Sequence, residues 1–130
     1  MNSFSKIWAQ NARPREIWFK FGVHPSIAET YAEHTLLSLN IARSLIECIN
    51  IDFGCVVEKL VFGRETEDRA EDVARLAELL ADIVVAKEYA RLGYGTKNFL
   101  REKTLEVLKI LEEYGENKKL LEKVDKILKE

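Results

Sequence analysis

His34 and Asp82 are the two residues of this sequence best placed to do chemistry. The chain has only two histidines, so each is read individually. His34 lies seven residues after Ile27 and three before Leu37, on or beside the apolar face of a helix. Glu33 precedes it, and Glu29 lies one turn before Glu33. An imidazole there can bind a metal or move a proton. It can equally be a core-edge ring satisfied by a carbonyl or a carboxylate. Asp82 stands within the apolar run Leu76–Ala86, with Leu79 and Ala86 on its face. A carboxylate on the buried side of a helix is costly unless it is paired, hydrogen-bonded or metal-bound. Its partner is therefore a metal ion or a basic side chain of a neighbouring element, with Arg15, Lys20 and Arg43 as candidates. His24, in the loop before Pro25, has a surface role by default.

The N-terminal segment is locally basic. Lys6, Arg13, Arg15 and Lys20 outnumber Glu16 there, and Trp8 and Trp18 lie among them. Arginine beside an aromatic ring suits a phosphate and a base. It also suits a charge carried over a tryptophan on its apolar stem. The C-terminal charges alternate in sign and describe a solvated face. Cys48 and Cys55 form no CxxC pair and no Cys/His zinc pattern, and read as buried thiols of a reducing cytoplasm.

The elements that must hold these residues are helices. At 130 residues and 15.0 kDa the chain, residues 1–130, is expected to form one domain. Hydrophobic residues make up 47%, which excludes a disordered tail. The net charge of -2 provides no global field for nucleic acid or anionic membranes. No apolar run reaches the length of a membrane span. Met1–Lys6 lacks a signal-peptide pattern, and a cytoplasmic location is expected. Pro14 is expected to split residues 3–21 into two short helices. Ser26-Ile27-Ala28-Glu29 and Thr30-Tyr31-Ala32-Glu33 both fit a capping box for the helix that carries His34. Cys55–Phe62 favours a short helix, stopped by Gly63, although its Val-rich start leaves a strand open. A long helix is expected from Glu65–Asp68 to Leu92, ended by Gly93. Thr96 can cap the next helix, through Leu111. A last amphipathic helix carries Leu120, Leu121, Val124, Ile127 and Leu128, and its apolar face could join a second copy in a dimer. The fold class is all-α, with five to seven helices.

Three stretches resemble a known family. Pro14-Arg15-Glu16-Ile17-Trp18, Lys20-Phe21-Gly22-Val23 and Ala32-Glu33-His34-Thr35 look like the opening of the HD-domain phosphohydrolases, closest to their 5'-deoxynucleotidase-like branch. Leu80-Ala81-Asp82-Ile83 and Glu88–Tyr94 are similar to that family's late helix and its end. The resemblance covers roughly residues 13–50 and 74–112. It implies an HD-like helical bundle and a metal-dependent phosphohydrolase acting on nucleotides. Such enzymes bind a divalent metal through a first His, a His-Asp dyad and a late Asp. By that resemblance His34 is the first ligand and Asp82 the last. Glu33 orients or assists, Arg15 meets the phosphate, and Trp18 sits near the base. The cofactor implied by the resemblance is Mn, Co, Mg or Zn, with a site that holds no metal as the alternative.

This sequence departs from the family in the middle. It has no His-Asp dipeptide and no histidine after His34. The dyad is expected near Leu60-Val61-Phe62-Gly63, and the stretch from there to Leu76 is shorter than the family's middle helices. Two protein ligands hold a divalent ion weakly, whereas catalytic zinc sites keep three. His24, Glu65 or Asp68 could substitute. The resulting expectation is an HD-like bundle shortened in the middle, with weak or no hydrolysis. Because metal–ligand bonds are about 2.0–2.2 Å long, a shared metal requires the His34 and Asp82 side chains to lie within about 5 Å. Two other functions stay open. One is a non-catalytic helical module that binds a ligand or self-associates. The other is an all-α nucleoside triphosphate pyrophosphatase of the MazG-like type, which would need Glu29, Glu33, Glu78 and Asp82 together around magnesium.

Overall fold

Pro14 and the cap at Thr30 decide how the first third of the chain folds. The computed structural model describes residues 3–130. Met1 and Asn2, where the signal-peptide reading begins, lie outside the described residues. Helix α1 (Ser3–Asn11) ends before Pro14, whose ring would clash with a carbonyl one turn back. Pro14 then forms an isolated antiparallel bridge with Thr30. The Arg15 amide donates to the Glu29 carbonyl at 2.7 Å, and the Tyr31 amide to the Arg13 carbonyl at 3.0 Å. Between these pairs runs a 3-10 helix, Glu16–Phe21, closed by Gly22 at φ 87°. The second short helix expected here is thus a 3-10 turn. Six residues between a bridge and a left-handed glycine are too few to repay α-helix nucleation.

Of the two candidate starts for α2 (Tyr31–Leu45), Thr30 is the cap. Its hydroxyl accepts from the Glu33 amide at 3.1 Å, and the Glu33 carboxylate accepts from the Thr30 amide at 3.0 Å. Ser26 belongs instead to the preceding turn, where its amide donates to His24 Nδ1. Helix α3 (Phe53–Phe62) starts at the Asp52 cap and stops at Gly63, whose φ of 66° favours glycine. The strand alternative for this segment is therefore excluded.

Helix α4 (Asp68–Arg91) is the central element, packed by α2, α3, α5 and α6. Val73, Leu76, Leu80 and Ile83 on it are fully or almost fully buried. Such enclosure on several sides explains why its apolar residues are not confined to one stripe. Helix α5 (Lys97–Leu111) follows, but Thr96 does not cap it with its side chain. The Thr96 hydroxyl donates at 2.7 Å to the Ala86 carbonyl and ties the turn back onto α4. A short 3-10 turn (Glu112–Tyr114) leads to α6 (Lys118–Lys129), capped by Asn117. The apolar face of α6, expected as a partner surface, is largely used inside the molecule. Leu120 and Val124 are fully buried in the main core.

A second, smaller core forms where the N-terminal loop meets α4 and α5. It comprises Trp18, Val23, Ala28, Ala86, Tyr89 and Phe99. Trp18 meets Tyr89 and Phe99 edge-on, with centroids 5.1 and 5.2 Å apart. This cluster clamps the loop that carries Arg15 and Glu29 against the helix that carries Asp82. The described residues contain no strand, and none of their helices is long and apolar enough to cross a membrane. Cys48 and Cys55 are free and half-buried rather than fully buried.

Candidate metal centre

Glu29, His34 and Asp82 converge where the N-terminal loop, the first turn of α2 and the middle of α4 meet. Each offers one ligand atom, and these atoms all lie within 4.8 Å of one another. His34 Nδ1 is 3.6 Å from Asp82 Oδ1 and 3.9 Å from Glu29 Oε2. All three residues are buried. The capping box turns α2 so that His34 points inward, and its amide closes the first turn on the Thr30 carbonyl. The bridge to Arg15 and a bond from the Glu29 amide to the Tyr89 hydroxyl, 2.9 Å, fix the Glu29 backbone. Burial holds the Tyr89 hydroxyl pKa above its ordinary value, so it stays protonated.

Arg15 stands in the middle of this cluster. Its Nη1 donates to Asp82 Oδ1 at 2.6 Å and to Glu29 Oε1 at 2.8 Å, and lies 3.0 Å from His34 Nδ1. Burial opposes the Arg15 charge, but Asp82 and Glu29 more than offset it, so its pKa lies above the ordinary value. One of the three basic partners weighed for Asp82 is therefore the real one. Lys20 and Arg43 take no part.

The donor set suits a borderline divalent ion: one imidazole nitrogen and two carboxylates. Glu29 Oε2 is buried and has no hydrogen-bond partner, which leaves a lone-pair acceptor unused in the cluster. Such an orphan is costly without a cation or donor. The sequence offers Glu29 as the end of a candidate capping box and as one carboxylate of a four-acid magnesium set, not as a ligand shared with His34. Glu29 sits just before a helix cap, and its link to His34 and Asp82 depends on a backbone bridge that the helical spacing does not reveal. None of the three substitutes weighed for the absent dyad enters the cluster. His24 is exposed and bonded to Ser26, and Glu65 and Asp68 are exposed. From α3, where the dyad was expected, Val61 and Phe62 point to solvent.

Glu33 and Trp18 lie at the site without the geometry expected of them. The Glu33 carboxylate is engaged at the α2 cap. Trp18 was expected beside a substrate base, but its side chain is fully buried and leaves no face for stacking. Its Nε1 donates to Glu29 Oε1 at 3.1 Å, so it positions that carboxylate. The four carboxylates required for a pyrophosphatase are also not gathered. Glu78 reaches the rim, 3.9 Å from His34 Nε2, while Glu33 faces Thr30.

Beside the cluster, a groove of about 540 Å³ runs between α2 and α4. Its lining is mostly apolar, with Ile27, Leu36, Val84 and Val85, and includes Glu29 and Tyr89. No family model, curated protein or solved structure matches this chain.

Proposed function

We propose that this protein is a divergent HD-like helical domain that binds a phosphate-bearing, nucleotide-class ligand together with a divalent metal. Hydrolysis is weak or absent. The observation that carries this is the convergence of Glu29, His34 and Asp82 around Arg15, with a buried Glu29 oxygen left unpartnered. Glu29, His34 and Asp82 would hold the metal, and Arg15 would meet the phosphate. A divalent ion at such a site polarises a phosphoryl oxygen and lowers the pKa of bound water. Trp18 fixes Glu29, and the Thr30 cap fixes His34. Three protein ligands are enough to hold an ion, but Arg15 already stands among them, which favours binding over turnover.

The test is calorimetry with Mn²⁺ and Co²⁺ on the wild type and His34→Ala, followed by assays with deoxynucleoside monophosphates. Stoichiometric binding lost in His34→Ala supports the proposal. No binding by a folded wild type, with or without a nucleotide, overturns it.

One observation favours a second reading, a non-catalytic module. Arg15 already supplies a cation to the same three side chains, as a structural ion cluster would. In that case His34→Ala changes stability alone. Self-association, if it occurs, has the exposed side chains of Phe4, Ile7 and Trp8 on α1 available to it rather than the apolar face of α6.

A further inference from the structure

We infer that Arg15 is an exchangeable resident cation, and that a phosphate monoester drawing it off the cluster opens the metal position. The inference rests on the metal-site reading above and adds its regulation.

Arg15 and a metal compete for the same three side chains. A single atom, Nη1, lies 2.6 to 3.0 Å from Asp82 Oδ1, Glu29 Oε1 and His34 Nδ1. A metal shared by Asp82 Oδ1 and His34 Nδ1, which stand 3.6 Å apart, would bind each at about 2.0–2.2 Å and so compete with Nη1 for both. The nitrogen fills the volume a shared ion needs. Arg15 must leave before the three residues can close on a metal.

The cluster is also poorly served by the arginine. A terminal guanidinium nitrogen carries two N–H groups, yet two carboxylate oxygens and His34 Nδ1, an acceptor in its Nε2–H tautomer, crowd Nη1, and Glu29 Oε2 has no donor at all. Two carboxylates face one guanidinium charge, and Glu78 adds another at the rim. A divalent ion neutralises this set better than Arg15 does. What holds Arg15 in place is its own need for counter-charge in a partly buried position. A phosphate dianion supplies that need. Arginine binds such groups with two parallel N–H bonds, and here the charge-paired contacts all run through one nitrogen.

The backbone allows the exchange. Arg15 is anchored by its amide to the Glu29 carbonyl, so the side chain can swing while the loop stays bound. Phosphate and metal would then bind with positive coupling, and each would raise the affinity for the other by the same factor.

The experiment titrates Mn²⁺ by calorimetry, with and without phenylphosphonate, into the wild type and Arg15→Gln. Circular dichroism checks that both are folded. In the wild type, phenylphosphonate should tighten Mn²⁺ binding by about 5- to 150-fold, the usual range of coupling between sites. Arg15→Gln should bind Mn²⁺ more tightly than the wild type without the anion, and the anion should add little. Equal Mn²⁺ affinity in the wild type with and without phenylphosphonate overturns the exchange but leaves the metal site standing. Full coupling retained in Arg15→Gln also overturns it, since the anion would then be bound by the metal itself. Absence of Mn²⁺ binding in every arm overturns both the exchange and the metal site. The wild-type comparison decides the matter even if Arg15→Gln fails to fold.

Discussion

Arg15 Nη1 lies 2.6 Å from Asp82 Oδ1, joining residues 67 positions apart in the chain. The pair is nearly enclosed, with each side chain 12% exposed. Pairs of this kind contribute little net stability over apolar replacements, yet they are strongly destabilising when one partner is removed. The pair thus fixes the N-terminal loop against α4 by penalising every arrangement that separates the two charges.

Removing one side of this pair should cost more than removing both. Arg15→Met should destabilise the protein by about 3 kcal/mol, because the buried carboxylates of Asp82 and Glu29 are both left without a cation. Adding Asp82→Ala to that variant should recover part of the loss, since one buried carboxylate rather than two is then left without a cation. Urea unfolding of the two single variants and the double variant checks this, and additive losses would contradict it.

The two tryptophans should report opposite environments. Trp18 is fully buried, while Trp8 is 74% exposed. Emission of Trp8→Phe should be blue-shifted and resistant to acrylamide. Trp18→Ala should lose about 3–5 kcal/mol of stability by opening the second core. A quencher-accessible Trp18 in the folded Trp8→Phe variant would refute the arrangement.

The Thr30 cap should stabilise the helix and place His34 together. Thr30→Ala should cost about 1 kcal/mol, the usual loss for a capping hydroxyl. Glu33→Ala should add little more in that background, since the two side chains form one capping box. Thermal unfolding of the double-mutant cycle measures the coupling.

Tyr114 should make the fold sensitive to alkali. Burial and then its bond to Asp72, 2.6 Å, raise the hydroxyl pKa above the ordinary tyrosine value. The folded state therefore holds this proton more tightly than the unfolded state. Its contribution is complete below about pH 10, the unfolded value, and is lost as pH rises toward the higher folded value. Tyr114→Phe should cost about 1 kcal/mol at neutral pH. It should also flatten the fall in stability above pH 10, read from urea midpoints.

Leu120 should behave as a core residue. It is fully buried, so Leu120→Ala should cost about 2–5 kcal/mol in denaturant unfolding. A negligible loss would mean that α6 is not part of the packed core.

What the sequence determined is what acts over a turn or two of chain. Pro14 ending α1, the box from Thr30 to Glu33, the stop at Gly63 and the apolar spacing along α4 are local effects, and they were legible as an all-α chain. His34 and Asp82 were legible as candidates because a polar group on an apolar helix face needs a partner. Their partners were not legible. Glu29 reaches the cluster through a backbone bridge between loops, and Arg15 reaches it across 67 positions. Periodicity carries no information about either contact. The same limit applied to Trp18 and to α6. Composition shows that an aromatic or an apolar face must be covered, but only the packing of distant elements decides what covers it. Tertiary structure therefore chose which cation stands among the three ligands, because the short-range forces that write helices into a sequence do not extend between them.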